Sequence, residues 1–380
     1  MKLSLLMALG FFLVTQSAFA TRARLQALGQ NKNGSLFISD DRNIFLNPAH
    51  VTTVQNKINL EAGKTDQSAT SATNPKAEGG LVYRMNDFSI AAQLGRVGDA
   101  TARISSQTSL SGTTFYDPQN SVELILGGGG KGLAWGGSLH YANSESEIGA
   151  TTDYPDSKAK VLTARGGVVT DKFQAYGSWD VNHESSTRTS AISQREFDGN
   201  LSLEAGGSYN MSETAKLGGY ILNTGNDFND GGTSKGDYKL MKVNGTYFHN
   251  FKKEEGLMIF GMAGLTYSKG VSDYEAAGQK DDESISWALP IGLGLESQLT
   301  SWFAIRGSVT QTVLVDKTER KNTASNSMKI GEDDTVVTLG SSFNYKDFVL
   351  DATLAGSGGT GTAQIDGNTL MANVGLTYAF

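Results

Sequence analysis

The chain has 380 residues, with 46 glycines, 5 prolines, no cysteine and a net charge of −7. The lack of cysteine excludes a disulfide framework, a thiolate metal site and cysteine catalysis. The charge is dispersed and forms no basic patch for a nucleic acid. After the first twenty residues, no apolar run reaches the roughly 18 residues that a membrane-spanning helix needs.

The first predicted element is a secretory signal peptide covering residues 1–20. Lys2 gives a positive start, residues 3–14 are apolar, and Ala18-Phe19-Ala20 has the A-x-A pattern of a cleavage site. We expect cleavage after Ala20 and therefore an exported protein.

Residues 21–50 do not alternate between apolar and polar side chains. We expect this segment to be a periplasmic extension, or a short plug near the mouth of the domain that follows.

Residues 51–380 are predicted to form one all-β domain, because short segments with a period of two follow one another between turn residues. We count about sixteen candidate strands, with fourteen as the alternative. They cover 54–64, 78–85, 88–97, 121–128, 133–143, 159–169, 173–182, 197–209, 215–224, 237–251, 256–268, 284–298, 302–315, 335–345, 348–355 and 369–380.

The connections between these strands alternate strictly between short and long. Short ones such as 85–87 and 346–347 alternate with long polar ones such as 98–120 and 316–334. Short periplasmic turns and long extracellular loops are typical of a transmembrane antiparallel up-and-down β-barrel, with both termini on the periplasmic side. We expect Pro290, which lies inside a cleanly alternating run, to interrupt the sheet locally because it cannot donate to a strand ladder.

The last strand has one apolar face that includes Tyr378 and ends on Phe380. It resembles the closing strand of Gram-negative outer-membrane barrels, and this resemblance implies an insertion signal for the barrel assembly machinery. Aromatic side chains just after short turns predict an inner aromatic girdle, and three others predict an outer one. The inner set is Phe88, Phe173, Phe303 and Phe348, and the outer set is Trp179, Trp287 and Tyr267.

The face opposite the apolar one carries charged side chains that we expect to line a water-filled lumen, because a dry core would not accept them. The balance of six basic and six acidic positions predicts weak ion selectivity. The predicted pore-lining residues are Lys57, Glu61, Arg84, Glu123, His140, Arg165, Asp180, Glu204, Lys216, Lys242, Glu296, Arg306 and Asp351. The loops 98–120 and 316–334 are the candidates for a loop that folds inward and constricts the pore.

Three sequence patterns in the N-terminal segment point to a family. They are Arg24 to Gly29 (R-x-x-x-L-G), the pair Asp40-Asp41, and Asn47-Pro48-Ala49. Together they are similar to the N-terminal hatch of the long-chain fatty-acid transporter family (FadL-like barrels), and this similarity implies a plugged barrel for hydrophobic compounds. The chain departs from that family in having about sixteen strands instead of fourteen and a shorter segment before the first strand. Its inward faces also show no contiguous apolar pocket.

The main functional expectation is therefore an outer-membrane porin of a Gram-negative bacterium that lets small hydrophilic solutes and ions diffuse passively. Two alternatives stay open: a FadL-like transporter of hydrophobic compounds, or a structural or adhesive barrel. We expect no enzymatic activity, cofactor or metal. The expected partners are membrane lipid and lipopolysaccharide, the barrel assembly machinery, and two further copies in a homotrimer.

Overall fold

The fold is described from a computed structural model of the chain. It covers residues 21–63, 76–104, 115–130, 132–146, 156–190, 193–231, 235–275, 282–320, 327–332, 335–358 and 371–380. The predicted signal peptide and its cleavage site lie outside the described residues.

The described strands form a single closed antiparallel sheet, since the first strand pairs with both the second and the last. The strands are β1 (Lys57–Gly63), β2 (Lys76–Met85), β3 (Phe88–Leu94), β4 (Asn120–Gly130), β5 (Leu133–Ser146), β6 (Ser157–Val169), β7 (Phe173–Ser190), β8 (Ser193–Gly199), β9 (Ser202–Asn210), β10 (Ala215–Asn229), β11 (Lys235–Glu254), β12 (Leu257–Tyr274), β13 (Asp282–Thr300), β14 (Phe303–Arg320), β15 (Ser327–Glu332), β16 (Thr335–Tyr345), β17 (Phe348–Gly358) and β18 (Met371–Ala379).

Two pairs of these segments share one position in the barrel wall. Strands β8 and β9 both lie between β7 and β10, and β15 and β16 both pair with β14. The wall is therefore a closed barrel of sixteen strands, as the sequence predicts.

The two faces of the wall differ as the alternation predicts. Outward side chains are apolar and exposed, for example Leu124 at 59% and Leu339 at 63%. Inward side chains are polar and buried, for example Glu123 and Asp351 at 0%. An apolar exterior around a polar interior is the arrangement of a transmembrane barrel. Within the described ranges, no helix has the length and apolar character needed to cross a membrane.

The predicted short turns are present. Strands β2 and β3 are joined by Asn86-Asp87, and β16 and β17 by Lys346-Asp347. Asn86 and Lys346 have φ values of 50° and 53°, which is the left-handed conformation that tight two-residue hairpins require.

At the opposite end the strands are longer than predicted. Strand β7 continues to Ser190, and β14 and β15 extend the sheet into the region 316–334, which the sequence suggested as an inward loop. Residues 313–318 instead pair with 327–332 as an outer hairpin. Beyond the membrane both faces of a strand meet water, so the apolar alternation that marks a strand in the sequence disappears there.

Pro290 coincides with a local break, as expected. Strands β12 and β13 are in register up to Ala263 opposite Ile291 and again from Thr266 opposite Ala288, but no pair is registered in between. On its other side Pro290 stays in register with Thr312 of β14.

Residues 21–56, which we call the plug, contain one short helix and two 3-10 helices. These are α1 (Arg22–Ala27), η1 (Asp41–Phe45) and η2 (Pro48–Thr53). Thr21, Asp40 and Asn47 cap their N-termini by accepting a hydrogen bond from a backbone N–H two or three residues further on. Strand β1 begins at Lys57, so the segment outside the sheet runs six residues beyond the predicted boundary at His50.

Candidate functional site: a plug inside the barrel

The plug lies inside the barrel, because its hydrogen bonds go to inward side chains of the wall. The Thr21 hydroxyl donates to Asp351 of β17 over 2.9 Å. The Thr338 hydroxyl of β16 donates to the Ala27 carbonyl over 2.8 Å, and Asn373 of β18 donates to Gln26 over 2.7 Å. Every residue of α1 is buried.

Arg24 fixes this first helix through two carboxylates. Its guanidinium donates over 2.8 Å to Asp40 within the plug and over 2.9 and 2.7 Å to the two oxygens of Glu296 on β13. Arg306 binds the same Glu296 and also Asp351, over 2.7 Å. The result is a continuous chain of alternating charges from the plug to the wall.

Burial raises the pKa of Asp40 to about 6, although the Arg24 guanidinium acts in the opposite direction. Removing a carboxylate from water disfavours its charged form, and here that cost exceeds the stabilisation by the neighbouring cation.

Arg42 forms a second ion-pair group between the plug and the wall. Its Nη1 donates to Glu61 of β1 over 2.8 Å and to Glu78 of β2, and its Nε donates to the Lys32 carbonyl. All three charged side chains are at most 3% exposed. The guanidinium also lies 4.9 Å from the centre of the Phe45 ring.

Lysines of the wall bind the plug as well. Lys57 donates to Asp41 over 2.7 Å, and Lys216 donates to the carbonyl oxygen of Phe37 over 2.6 Å. His50 of the plug bonds to Gln174 of β7 over 2.8 Å, and its burial lowers its pKa.

Glycines of the wall let the plug approach the strands closely. A Cβ added at Gly136 would overlap the backbone of Pro48 and Ala49, and one added at Gly167 would overlap Asn47. The Asn-Pro-Ala motif therefore packs against two glycines, where any side chain would clash with it.

A second segment, which we call the inner loop (residues 95–104 and 115–119), also lies in the lumen. Arg96 donates to Glu123 over 2.6 Å, and its carbonyl oxygen lies 3.2 Å from Nε2 of His140. Arg165 bonds to the same Glu123 over 2.9 Å and lies 3.6 Å from Asp99. Residues 98–104 and 115–119 of this loop belong to the predicted loop 98–120, and they fold inward as that prediction expects.

The inner loop closes an apolar cluster in the outer half of the lumen. Its members come from the loop and from inward positions on five strands: Ala100, Ile104, Phe115, Ala142, Val161, Phe197, Phe228 and Tyr274. The inward faces therefore carry a contiguous apolar cluster, although its side chains pack against one another and do not form the open apolar pocket whose absence the sequence predicts. Phe228 and Tyr274 lie on extensions of β10 and β12 beyond the predicted strands 215–224 and 256–268.

The predicted pore-lining residues all lie on the inward face, but most of them do not line an open channel. The plug binds Lys57, Glu61, Lys216, Glu296 and Asp351, and Arg306 joins the same ion pairs.

The inner loop contacts a second group, made up of Glu123, His140, Arg165 and Asp180. The side chains of the remaining three have other surroundings: Glu204 accepts from the Tyr176 hydroxyl, Lys242 lies over the Tyr220 ring, and the Arg84 side chain is exposed at the end of β2. The period-two alternation predicts on which face of the wall a side chain lies, but it does not predict which residues that side chain contacts.

Several residues that build this site were not predicted as site residues, chiefly Arg42, Arg96, Asp99 and Arg103. Arg42 follows the Asp-Asp pair, so the hatch-like motifs contained the only sequence signal for it. The other three lie in a loop with no distinguishing pattern.

The fold and the filled lumen define a transmembrane outer-membrane-type β-barrel with an internal plug. No protein-family profile matches the chain, and no curated protein does. Among solved structures, it is similar to the toluene transporter TodX of P. putida (12% identity, TM-score 0.38, covering 96% of this chain and 99% of that one). It is also similar to the toluene transporter TbuX of Ralstonia pickettii (13% identity, TM-score 0.38, covering 96% and 98%). A third similar structure is a loop-deletion mutant of OmpT, an outer membrane protein of Vibrio cholerae (12% identity, TM-score 0.37, covering 86% and 97%).

Proposed function

We propose that this protein is a plug-gated outer-membrane channel that passes small hydrophobic compounds without converting them chemically. The observation that carries the proposal is the ion-paired plug. Arg24 and Arg42 each bind a carboxylate of the wall, and both arginines are nearly fully buried. A general porin needs a hydrated passage, whereas here the charges expected to line that passage hold a protein segment in place.

Two further observations support hydrophobic compounds over hydrophilic ones. The outer half of the lumen contains the apolar cluster around Phe197 and Phe228, which a compound would meet before the plug. The residues that resemble the FadL-like hatch are also the anchors of this plug, since Arg24, Asp40 and Asn47 all make its bonds. The main expectation from the sequence is a porin. The proposal instead favours the first alternative, a FadL-like transporter of hydrophobic compounds.

Planar-bilayer recordings of the refolded protein test the gating. We expect low conductance with brief openings, because the plug is docked for most of the time. A large, steady and weakly selective conductance would instead support the general porin. Isothermal titration in neutral detergent tests the class of compound: benzyl alcohol should bind and glucose should not.

The assembly route and environment form part of the same proposal. Phe380 stacks on Tyr378, with ring centroids 6.3 Å apart, at the exposed end of the last strand. We propose that this end is recognised by the barrel assembly machinery and that the apolar exterior meets lipid and lipopolysaccharide. A homotrimer remains a proposal that sedimentation in detergent would test.

A further inference from the structure

A cavity of about 330 Å³ lies in the lumen between the plug, the inner loop and strands β7 to β11. Gln30, Asn31, residues 33–37 and Leu46 of the plug form one side, and Asp99 and Arg103 of the inner loop line another part. The wall contributes Tyr176, Glu204, Tyr220, Leu222, Lys242 and Asn244. This volume lies at the lower end of the range for small-molecule pockets.

Lys242 supplies a positive charge that no carboxylate neutralises within the described part of the chain. Its amino group lies 5.8 Å from the centre of the Tyr220 ring, and no described carboxylate oxygen lies within 4.0 Å of it. The lumen lysines Lys57 and Lys216, in contrast, donate to oxygen atoms of the plug at 2.7 and 2.6 Å. Partly removed from water, such an ammonium favours an anionic partner.

The carboxylates of the same cavity are already bonded elsewhere. Glu204 accepts from the Tyr176 hydroxyl over 2.7 Å, and Asp99 accepts from Asn33 over 2.9 Å. Leu222 of β10 pairs with Glu204 of β9 on one side and with Lys242 of β11 on the other, so Glu204 and Lys242 are two strands apart. Adjacent strands are about 4.8 Å apart, so the backbones of Glu204 and Lys242 are separated by about 10 Å.

Apolar side chains lie beside this ammonium. Leu222 is its direct cross-strand neighbour, and Leu36, Phe37 and Leu46 of the plug face the same cavity. The cavity therefore combines one uncompensated cation with an apolar surface.

We propose that this cavity binds a small monocarboxylate with a compact apolar body, of the size of benzoate. Its carboxylate lies on Lys242 and its body lies against Leu222 and Phe37. This inference rests on the proposed function, since it names the class of compound that binds beside the docked plug of the channel.

Isothermal titration of the full-length refolded protein with benzoate, benzyl alcohol and benzylamine tests this site. Wild-type protein should bind benzoate at least about tenfold more tightly than benzyl alcohol, since one charge-assisted hydrogen bond in a partly dry site is worth that much. Lys242→Met should abolish the preference for benzoate and leave the affinity for benzyl alcohol unchanged, whereas Lys242→Arg should retain the preference. The matched control is Lys239→Met, which removes the same charge from the outward face of the same strand and should change neither affinity.

Three results would overturn the proposal: equal binding of benzoate and benzyl alcohol by the wild type, no binding of any probe, or unchanged benzoate affinity in Lys242→Met. The first and third results leave the proposed function intact because benzyl alcohol still binds, whereas no binding of any probe also contradicts the proposed class of compound. The gating is decided separately by the conductance of the wild type. The shift in gel mobility on heating identifies folded barrels among the variants before titration.

Discussion

Replacing Arg42 by methionine removes the cation that Glu61 and Glu78 share inside the lumen. Methionine keeps the length of the stem, so the change leaves two carboxylates without their common partner and opens no large gap. Removing one member of a buried ion pair costs about 3–5 kcal/mol. Arg22 lies 4.0 Å from Glu61 and offsets part of this loss, so we take the lower limit. A loss of about 3 kcal/mol lowers the ratio of docked to undocked plug roughly a hundredfold.

The measurement is the open probability of single channels in planar bilayers. We expect Arg42→Met to open far more often than the wild type at neutral pH. The matched control is Arg84→Met, which removes an exposed arginine from the inward face of β2, the strand that carries Glu78, and should leave gating unchanged. The triple variant Arg42→Met/Glu61→Gln/Glu78→Gln removes the uncompensated charges and should recover most of the closed state. If Arg42→Met gates like the wild type, the ion pairs do not hold the plug.

Three further predictions concern the plug and the end of the chain. Because burial raises the pKa of Asp40 to about 6, above the value of about 3.9 for a free aspartate, docking should become more stable as the pH falls from 7 through 6. His50, whose pKa burial lowers, acts in the opposite direction, so the contribution of Asp40 is read from the difference between two proteins. Between pH 7.5 and pH 5, open probability should fall more in the wild type than in Asp40→Asn; identical pH profiles would contradict the assignment. Gly136→Ala should displace the plug at a cost of about 1–3 kcal/mol and increase open probability, whereas Gly245→Ala, with no atom within 4 Å of the added carbon, should not. Phe380→Ala should reduce the amount of heat-modifiable barrel in outer-membrane fractions of expressing cells, and an unchanged amount would count against the assembly signal.

The sequence predicts the wall well because the physics of a membrane barrel acts on every second residue. Lipid outside and polar groups inside force a strict period of two, so the face of a residue such as Arg306 or Asp351 follows from counting along the strand. The same argument predicts the number of strands, the two-residue turn at Asn86-Asp87 and the break at Pro290.

The contacts inside the lumen could not be predicted in this way. Glu296 was placed on the inward face, but its partner Arg24 lies 272 positions away in a segment with no period. The apolar cluster was missed for a related reason. Phe228 and Tyr274 lie beyond the ends of the predicted strands 215–224 and 256–268, where the alternation that identifies a face is lost.

The contacts of α1 determine the order in which this protein can fold. Its bonds to Asp351 and Asn373 join residues that are 330 and 347 positions apart, on the last two strands of the sheet. Neither partner is in place until those strands have paired, and β18 also pairs with β1, the strand that follows the plug. The plug precedes all of these strands in the chain, yet its bonds to the last two can form only once the wall has closed.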